Sequence, residues 1–334
     1  STRLSCATNE LMRFVDYSAA GWDTPENIAN AHYNGRKQAE ACARNPLTPY
    51  INTDATARDM DLLRGLLGDE KLNYLGYSYG TWLGAWYASL FPEKVGRMVL
   101  DSATDFSATT EQMLHGQPPA RQRLFDEVLA PYAARHPDFF RLGANEAEVR
   151  AAIPRLAPRV QGVLAPHLNG LGYLRKNAAD YLIHIAAAQG LDAALRSVPD
   201  AADTDAVRGA LALHPFAPGD LQHDAQLREL AWQLYGSYRG TWLNPVVENI
   251  QLDEATGIAI RCNDTPSTTD PALWLAKVRN MAQQAPMYFT GLLALNACTF
   301  WTGPSVSKPG PAAMQQLPVL FVQSQYDAAT NTDD

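Results

Sequence analysis

The run Gly76-Tyr77-Ser78-Tyr79-Gly80 carries the clearest chemical signal in this chain of 334 residues. A Gly-x-Ser-x-Gly run between a strand and a helix holds its serine in a tight turn, where the hydroxyl is exposed as a nucleophile. We expect any side chain larger than glycine at Gly76 or Gly80 to collide with that turn. Ser78 is therefore the candidate nucleophile.

The sequence around this run has the order that such a turn requires. Residues 71–75 are typical of a short buried strand, residues 81–91 of a helix, and residues 96–101 of a second strand. Strand, helix and strand in this order predict a parallel βαβ unit. A helix predicted over residues 54–67 should pack against the sheet through one face, formed by Met60, Leu63 and Leu67.

We predict an α/β-hydrolase fold, in which a mostly parallel sheet is flanked by helices and interrupted by a large inserted helical cap. Residues 1–105 would form the first part of the core without its earliest strands. Residues 106–252 would form the cap, because strand signals nearly vanish there and amphipathic helical segments dominate. Residues 253–334 would return to the core and end at the strand that bears the acid.

Asp327 is the candidate acid of a catalytic triad. An apolar β run over residues 317–323 leads into it, and in this fold the acid follows a late core strand, after the serine and before the histidine. Its carboxylate would orient an imidazole and stabilise the imidazolium that forms when the serine loses its proton. The alternative is an aspartate that only caps a turn at the end of a strand.

No histidine occupies the expected third position of the triad. All seven histidines precede Asp327, namely His32, His115, His136, His167, His184, His214 and His223. All but His32 fall in the predicted cap, where a surface or satisfied core histidine is the usual case. A serine without a base is a poor nucleophile, so we expect the chain to stop short of its histidine.

The charge balance limits the partners. With 27 basic and 35 acidic residues the formal net charge is −8, so neither nucleic acid nor an anionic membrane surface is expected as a partner. No apolar run is long enough to span a bilayer. The chain begins at Ser1 without a methionine or an export signal, and we expect its start to be processed or cut.

The four cysteines fit two disulfides better than a metal site. They form no Cys-x-x-Cys pair and do not lie at ligand spacing from a histidine. Their order in the sequence suggests that Cys6 pairs with Cys42 and Cys262 with Cys298. Disulfides persist in oxidising compartments, so we expect a secreted or periplasmic protein, the alternative being a cytosolic protein with four reduced cysteines.

Three segments carry a resemblance to a known family. Residues 52–101 resemble the secreted tripeptidyl aminopeptidases of the prolyl-aminopeptidase-like α/β-hydrolases. Ile260-Arg261-Cys262-Asn263-Asp264 looks like that family's Cys-x-Asp turn after the cap, and residues 318–327 look like its acid-bearing strand. The cap is recognised only by its place and its helical character.

This resemblance implies a serine exopeptidase that releases short peptides, tripeptides among them, from free N-termini. It matches Ser78 to the nucleophile, Asp327 to the acid and the backbone N–H of Tyr79 to one oxyanion donor, and it implies no metal or organic cofactor. The family's second donor comes from a His-Gly-Gly-type loop, which does not occur between Ser1 and Gly76. The chain is therefore expected to be cut at both ends and to be inactive alone.

A substrate with a free α-amino group is cationic near neutral pH, so a carboxylate that faces the site would select for it. The possible donors of that charge in the cap are Glu229, Glu248, Asp180 and Asp220. The alternative for each is a solvated residue on a helix or loop.

Two other functions fit the same residues. An esterase or lipase would share Ser78 and Asp327 but would bind an apolar acyl chain. A non-catalytic relative that serves as a binding protein would explain the missing histidine. Haloalkane dehalogenases and epoxide hydrolases are disfavoured, because they place an aspartate at the position of Ser78.

Overall fold

The run with Ser78 lies where the first strand of a parallel sheet passes into a helix. A computed structural model describes residues 4–171, 178–244, 249–252, 255–303 and 305–330. Its strands are β1 (Cys6–Leu11), β2 (Leu72–Tyr77), β3 (Val95–Asp101), β4 (Asn249–Leu252) and β5 (Val319–Val322). Strands β2, β3 and β5 are neighbours in that order, and both pairs are parallel. The predicted parallel sheet is thus confirmed.

Helices make up most of the remaining structure. They are α1 (Pro25–Ala43), α2 (Thr53–Leu66), α3 (Tyr79–Leu90), α4 (Thr110–Leu124), α5 (Ala130–Arg135), α6 (Pro137–Phe140), α7 (Glu146–Arg150), α8 (Pro158–Leu171), α9 (Ala178–Ser197), α10 (Thr204–Leu213), α11 (Leu221–Tyr238), α12 (Thr256–Asp264) and α13 (Pro271–Gln284). No helix in these described ranges is both long enough and apolar enough to cross a bilayer.

Helices α4 to α11 lie between β3 and β4 in the sequence and bury a core of their own. Phe125, Tyr181 and Tyr235 are among its almost fully buried side chains. A separate apolar cluster, with Trp82, Trp86 and neighbouring residues, packs α3 against the parallel sheet. The predicted boundaries at residues 105 and 252 stay predictions.

The pairing of β1 with β4 was not predicted from the sequence. These strands form a separate two-stranded antiparallel sheet, in which Cys6 lies opposite Leu252. Strand β1 reads Cys-Ala-Thr-Asn-Glu-Leu and buries fully only its cysteine, so it lacks the apolar alternation by which strands are recognised. Its partner lies more than 200 residues away along the chain.

The predicted buried face of α2 is wrong for two of its three residues. Leu63 and Leu67 are 58% and 77% exposed, and only Met60 packs partly against the core. The side that is fully buried contains Thr53 and Ala57. Ala57 packs in the apolar cluster that contains Trp82 and Trp86 of α3, and in the described residues the two leucines face away from it.

Both suggested disulfides are formed. Cys6 is bonded to Cys42 and Cys262 to Cys298, with Cα atoms 4.8 and 5.0 Å apart. The structure therefore rejects four reduced cysteines. Two disulfides are compatible with an extracellular or secreted protein.

Replacing Cys262 and Cys298 together by serine is expected to lower the free energy of unfolding by about 4 kcal/mol, because the bond closes a long loop in the unfolded chain. Urea unfolding of the full-length protein under non-reducing conditions measures this loss. The matched control is the Cys6→Ser/Cys42→Ser pair, since both bonds have the same sequence separation of 36 residues. A loss below about 1 kcal/mol for either pair would contradict the chain-entropy estimate.

Candidate active site

Ser78 occupies a sharp turn between β2 and α3. It lies between Tyr77, the last residue of β2, and Tyr79, the first residue of α3, with φ 52° and ψ −124°. Its N–H donates to the carbonyl of Asp101 on β3 at 3.3 Å, and its carbonyl accepts the N–H of Thr81 at 2.9 Å. A positive φ is uncommon for a residue other than glycine and marks stored strain. The strand–turn–helix order expected for a nucleophilic serine is present.

Only one of the two motif glycines is required sterically in this turn. A Cβ on Gly76 would lie 2.5 Å from the carbonyl oxygen of Gly80, which is too close. A Cβ on Gly80 would lie 3.4 Å from the Tyr74 hydroxyl, an ordinary contact. The predicted collision therefore holds for Gly76 and is wrong for Gly80.

Asp327 lies just beyond β5, at the same edge of the sheet as Ser78. Its Oδ1 accepts the N–H groups of Ala329 and Thr330 at 2.9 and 2.8 Å, and its Oδ2 accepts the Thr330 hydroxyl at 2.8 Å. The Ser102 hydroxyl, at the end of β3, also bonds this carboxylate. The carboxyl ends of three parallel strands thus bring the candidate nucleophile and the candidate acid to one edge.

These hydrogen bonds keep the Asp327 carboxylate ionised. Burial alone would raise its pKa, but the bonds from Thr330, Ala329 and Ser102 outweigh burial and hold the pKa below its usual value. Because the folded pKa lies below the unfolded one, the bonds stabilise the fold above the unfolded pKa near 3.9. That contribution is lost as the pH falls through the folded pKa.

A cavity of about 230 Å³ opens beside Ser78. Tyr79 lines it on one side, Ala329 and Thr330 on another, and α4 contributes Gln117. The Gln117 amide donates to the Ala329 carbonyl at 2.9 Å. The cavity therefore joins the Ser78 turn to the residues that bind the Asp327 carboxylate.

A larger cavity, of about 450 Å³, lies elsewhere. Its walls include Leu164 and Leu168 of α8 and Phe289, and Ser78 does not line it. Chemistry rather than size therefore identifies the candidate site, because only the smaller cavity contains the strained serine.

The parallel sheet and the turn at Ser78 agree with the result of a comparison of this chain with known protein families. A family model described as the alpha/beta hydrolase fold matches residues 12–329. The chain belongs to the α/β-hydrolase fold family. The fold class predicted from the Ser78 run is confirmed.

Relatives of this α/β-hydrolase include proteases and an esterase. The serine protease Hip1 of Mycobacterium tuberculosis is 28% identical over 346 residues, which cover 98% of this chain and 60% of Hip1. The tripeptidyl aminopeptidase of Streptomyces lividans is 51% identical over 72 residues, covering 21% of this chain and 13% of that enzyme. Carboxylesterase B of Mycobacterium tuberculosis is 38% identical over 77 residues, covering 22% and 15%. The chain thus spans 60% of the length of Hip1, and the likeness supports the predicted serine-peptidase branch of the fold.

The histidines of this α/β-hydrolase do not complete a triad in the part of the chain that the structure describes. The hydrogen-bond partners found there for the Asp327 carboxylate are Ala329, Thr330 and Ser102. His32 is packed between Trp274 and Phe300, and burial lowers its pKa. Across the same ranges, no three His, Cys, Asp or Glu side chains are grouped as a metal site requires.

The acidic residues expected to face the site lie elsewhere. Asp220 caps α11 by accepting the His223 N–H, Glu229 accepts the Gln233 amide, and Asp180 is exposed in the first turn of α9. None of these three lines the Ser78 cavity, and Glu248 lies outside the described residues.

The carboxylates that line the cavity are Asp105 and Asp264, and neither was predicted from the sequence to have a role. Asp264 was visible only as the last residue of the Cys-x-Asp turn. Asp105 follows β3 by four residues, at the carboxyl edge where the sites of parallel sheets form. This position after a strand is the feature of the sequence by which Asp105 could have been predicted as a site residue.

Asp105 is held close to the Ser78 turn. The preceding residue, Thr104, donates its N–H to the Thr81 hydroxyl at 2.9 Å, and that hydroxyl bonds the Ser78 carbonyl at 2.6 Å. Asp105 Oδ1 accepts the N–H and hydroxyl of Ser107 at 2.8 and 2.6 Å. Burial lowers the pKa of Lys308, and the negative charge of Asp105 opposes that shift.

Proposed function

We propose that this protein is a serine exopeptidase that releases short peptides, tripeptides among them, from free N-termini through an acyl-enzyme. The observation that carries the proposal is Ser78 at positive φ in a strand-to-helix turn, beside a cavity bounded by the loop of Asp327. The likeness to the serine protease Hip1 along most of this chain and to a tripeptidyl aminopeptidase over 72 residues supports peptides as the substrate class.

In the proposed reaction, Ser78 Oγ attacks the scissile carbonyl carbon and loses its proton to an imidazole base. The Tyr79 N–H stabilises the oxyanion that forms, since Tyr79 is the first residue of α3 and its N–H has no acceptor within the helix. The imidazolium then protonates the leaving amine, the C–N bond breaks, and water hydrolyses the acyl-Ser78 ester. Asp327 would orient the imidazole.

The proposal places the base outside these 334 residues. None of the seven histidines follows Asp327 in the sequence, and in the described ranges none bonds its carboxylate. We propose that these residues alone are inactive, so each test of activity requires the protein expressed from its whole gene. The proposal also includes export to an oxidising compartment, which the two disulfides support.

Asp105 is our candidate for recognition of the substrate amine. It lines the Ser78 cavity, and the hydrogen bonds found to its carboxylate go to Oδ1. Asp264, the other acidic residue of the cavity wall, is fully buried and accepts bonds from Thr53 and Trp82. A carboxylate at position 105 can therefore attract an α-ammonium group that enters the cavity.

The expected result is that the enzyme hydrolyses a tripeptide p-nitroanilide with a free N-terminus about 100-fold faster, in kcat/KM, than its N-acetyl derivative. Acetylation removes the charge that a carboxylate attracts, and losing a charge-assisted hydrogen bond worth up to about 3 kcal/mol lowers kcat/KM by roughly this factor. Asp105→Asn should reduce the preference at least tenfold, whereas Glu229→Gln, on the exposed face of α11, should leave it unchanged. Equal rates for both substrates would reject the exopeptidase.

An esterase is the second candidate, because Carboxylesterase B is 38% identical over 77 residues. It would hydrolyse simple p-nitrophenyl acyl esters faster than any peptide anilide. The same assay therefore separates the two candidates when both substrate classes are measured with one preparation.

A further inference from the structure

Asp264 is the centre of a buried hydrogen-bond network beneath the Ser78 turn. It is the last residue of α12 and is fully buried. Its Oδ1 accepts the N–H of Thr53 at 2.7 Å, and its Oδ2 accepts the Thr53 hydroxyl at 2.5 Å and the Trp82 indole N–H at 3.0 Å. The Tyr79 hydroxyl lies 2.6 Å from the Thr53 hydroxyl oxygen. One carboxylate thus connects α12, α2 and α3.

The order of donors in this network follows from the number of protons. A threonine hydroxyl has a single proton, and Thr53 gives it to the Asp264 carboxylate. The Tyr79 hydroxyl must therefore donate to the Thr53 oxygen. Burial raises the pKa of Tyr79 to about 12, so this phenol keeps its proton at neutral pH.

Further bonds hold the segments on which Asp264 and Thr53 lie, in addition to the bonds between these two residues. Cys262, two residues before Asp264, is bonded to Cys298. The Asn263 amide donates to the carbonyls of Thr48 and Ile51 at 2.7 and 3.0 Å, just before α2 begins. The segments that carry Asp264 and Thr53 are therefore bonded to each other and to Cys298 independently of α3.

Tyr79 and Trp82 lie three residues apart in the first part of α3, so both project from one face of the helix. Trp82 bonds Asp264 directly and Tyr79 does so through Thr53. The first turn of α3, which carries Ser78 at its start and the Tyr79 N–H, is thus held at two points by one carboxylate.

We propose that Asp264, Thr53 and Tyr79 form a positioning network that aims the Tyr79 N–H at the oxyanion of the reaction. This inference rests on the proposed function, because it requires that Ser78 be the nucleophile. Asp264 is part of the cavity wall, but both its oxygens accept hydrogen bonds from Thr53 or Trp82, so in this scheme Asp264 and Thr53 act through Tyr79. Their removal should therefore slow the chemical step more than it weakens substrate binding.

Tyr79→Phe is the cleanest test. It removes one hydroxyl, while Thr53 still donates to Asp264, so no buried donor is left without an acceptor. We expect kcat on the tripeptide anilide to fall about tenfold and KM to change less than twofold, because complete loss of an oxyanion donor costs about 100- to 1000-fold and here the donor is only loosened. The matched control is Tyr87→Phe on the same helix, which also loses one hydrogen-bonded hydroxyl, to Asp61 at 3.0 Å, but does not line the Ser78 cavity and should keep kcat.

Thr53→Val and Thr53→Ser test the middle of the network. Valine has nearly the shape of threonine but can neither donate to Asp264 nor accept from Tyr79, so we expect a fall in kcat at least as large as for Tyr79→Phe. Serine keeps the hydroxyl and should restore kcat to within twofold of the wild type. Urea midpoints measured alongside show whether each variant is folded under the assay conditions.

The outcomes separate this inference from the proposed function. If Ser78→Ala abolishes activity but Tyr79→Phe keeps kcat within twofold of the wild type, the nucleophile stands and the positioning network is rejected. If kcat falls equally for Thr53→Val and Thr53→Ser, the hydroxyl is not the cause and the inference also fails. If Ser78→Ala retains activity, the proposed function itself fails.

Discussion

Replacing Ser78 by alanine in the full-length protein is expected to lower kcat/KM on peptide substrates by about 10⁴-fold or more. The variant removes the only atom that can form the proposed acyl-enzyme, while the turn keeps its backbone bonds to Asp101 and Thr81. The measurement is peptide hydrolysis, together with the mass of the protein after reaction with a fluorophosphonate. The wild type should gain one phosphonyl group and the variant none.

Ser89→Ala is the matched control for this experiment. Ser89 lies near the end of α3, the helix that begins just after Ser78. Its hydroxyl donates to the Ala85 carbonyl at 2.8 Å, and Ser89 does not line the cavity. It should keep both activity and labelling. A wild-type protein that is not labelled at Ser78 would point instead to the non-catalytic relative that serves as a binding protein.

Asp327→Asn is expected to lower kcat by roughly 10⁴-fold, with a much smaller change in KM. An amide has the shape of the carboxylate but not its charge, so it cannot stabilise an imidazolium or fix the reactive tautomer. The local bonds from Ala329 and Thr330 can partly persist, because an amide oxygen also accepts hydrogen bonds. Steady-state kinetics with a tripeptide anilide and a urea unfolding curve measure the two effects separately.

Asp270→Asn tests the alternative that Asp327 only caps a turn. Asp270 accepts the N–H of Ala272 at 2.8 Å, and Asp327 accepts that of Ala329 at 2.9 Å, so both make the same bond two residues ahead. Asp270 is the N-cap residue just before α13 and does not line the Ser78 cavity. If both substitutions change only stability, the acid role of Asp327 is rejected.

Local patterns predicted the parts of the fold that depend on nearby residues. The turn at Ser78 and the parallel β2–β3 unit lie within about 30 consecutive residues. The outward leucines of α2 were missed because periodicity shows that a helix has two faces but not which one is covered. Burial of Thr53 and Ala57 depends on how closely α3 approaches.

Candidate site residues could be chosen from the sequence only where one residue type in one motif identifies the chemistry, and their roles stay predictions. Ser78 and Asp327 could be chosen in this way, since each follows a recognisable strand. The bond between Thr53 and Asp264 joins residues 211 positions apart, and no local pattern specifies such a contact. Asp105 was missed for a related reason. Its candidate role depends on its place in the cavity wall, and other elements of the fold enclose that cavity.

The backbone at Ser78 also bears on the evolution of this protein. A residue with a side chain at φ 52° typically costs about 1–3 kcal/mol, which a glycine at the same position would not incur. Ser78→Gly would relieve this strain and remove the hydroxyl, at a cost of about 0.5–1 kcal/mol for the greater chain entropy that glycine loses on folding. Selection for heat resistance alone would favour that loss. If Ser78 is the nucleophile, as we propose, selection for turnover would retain the serine against this preference.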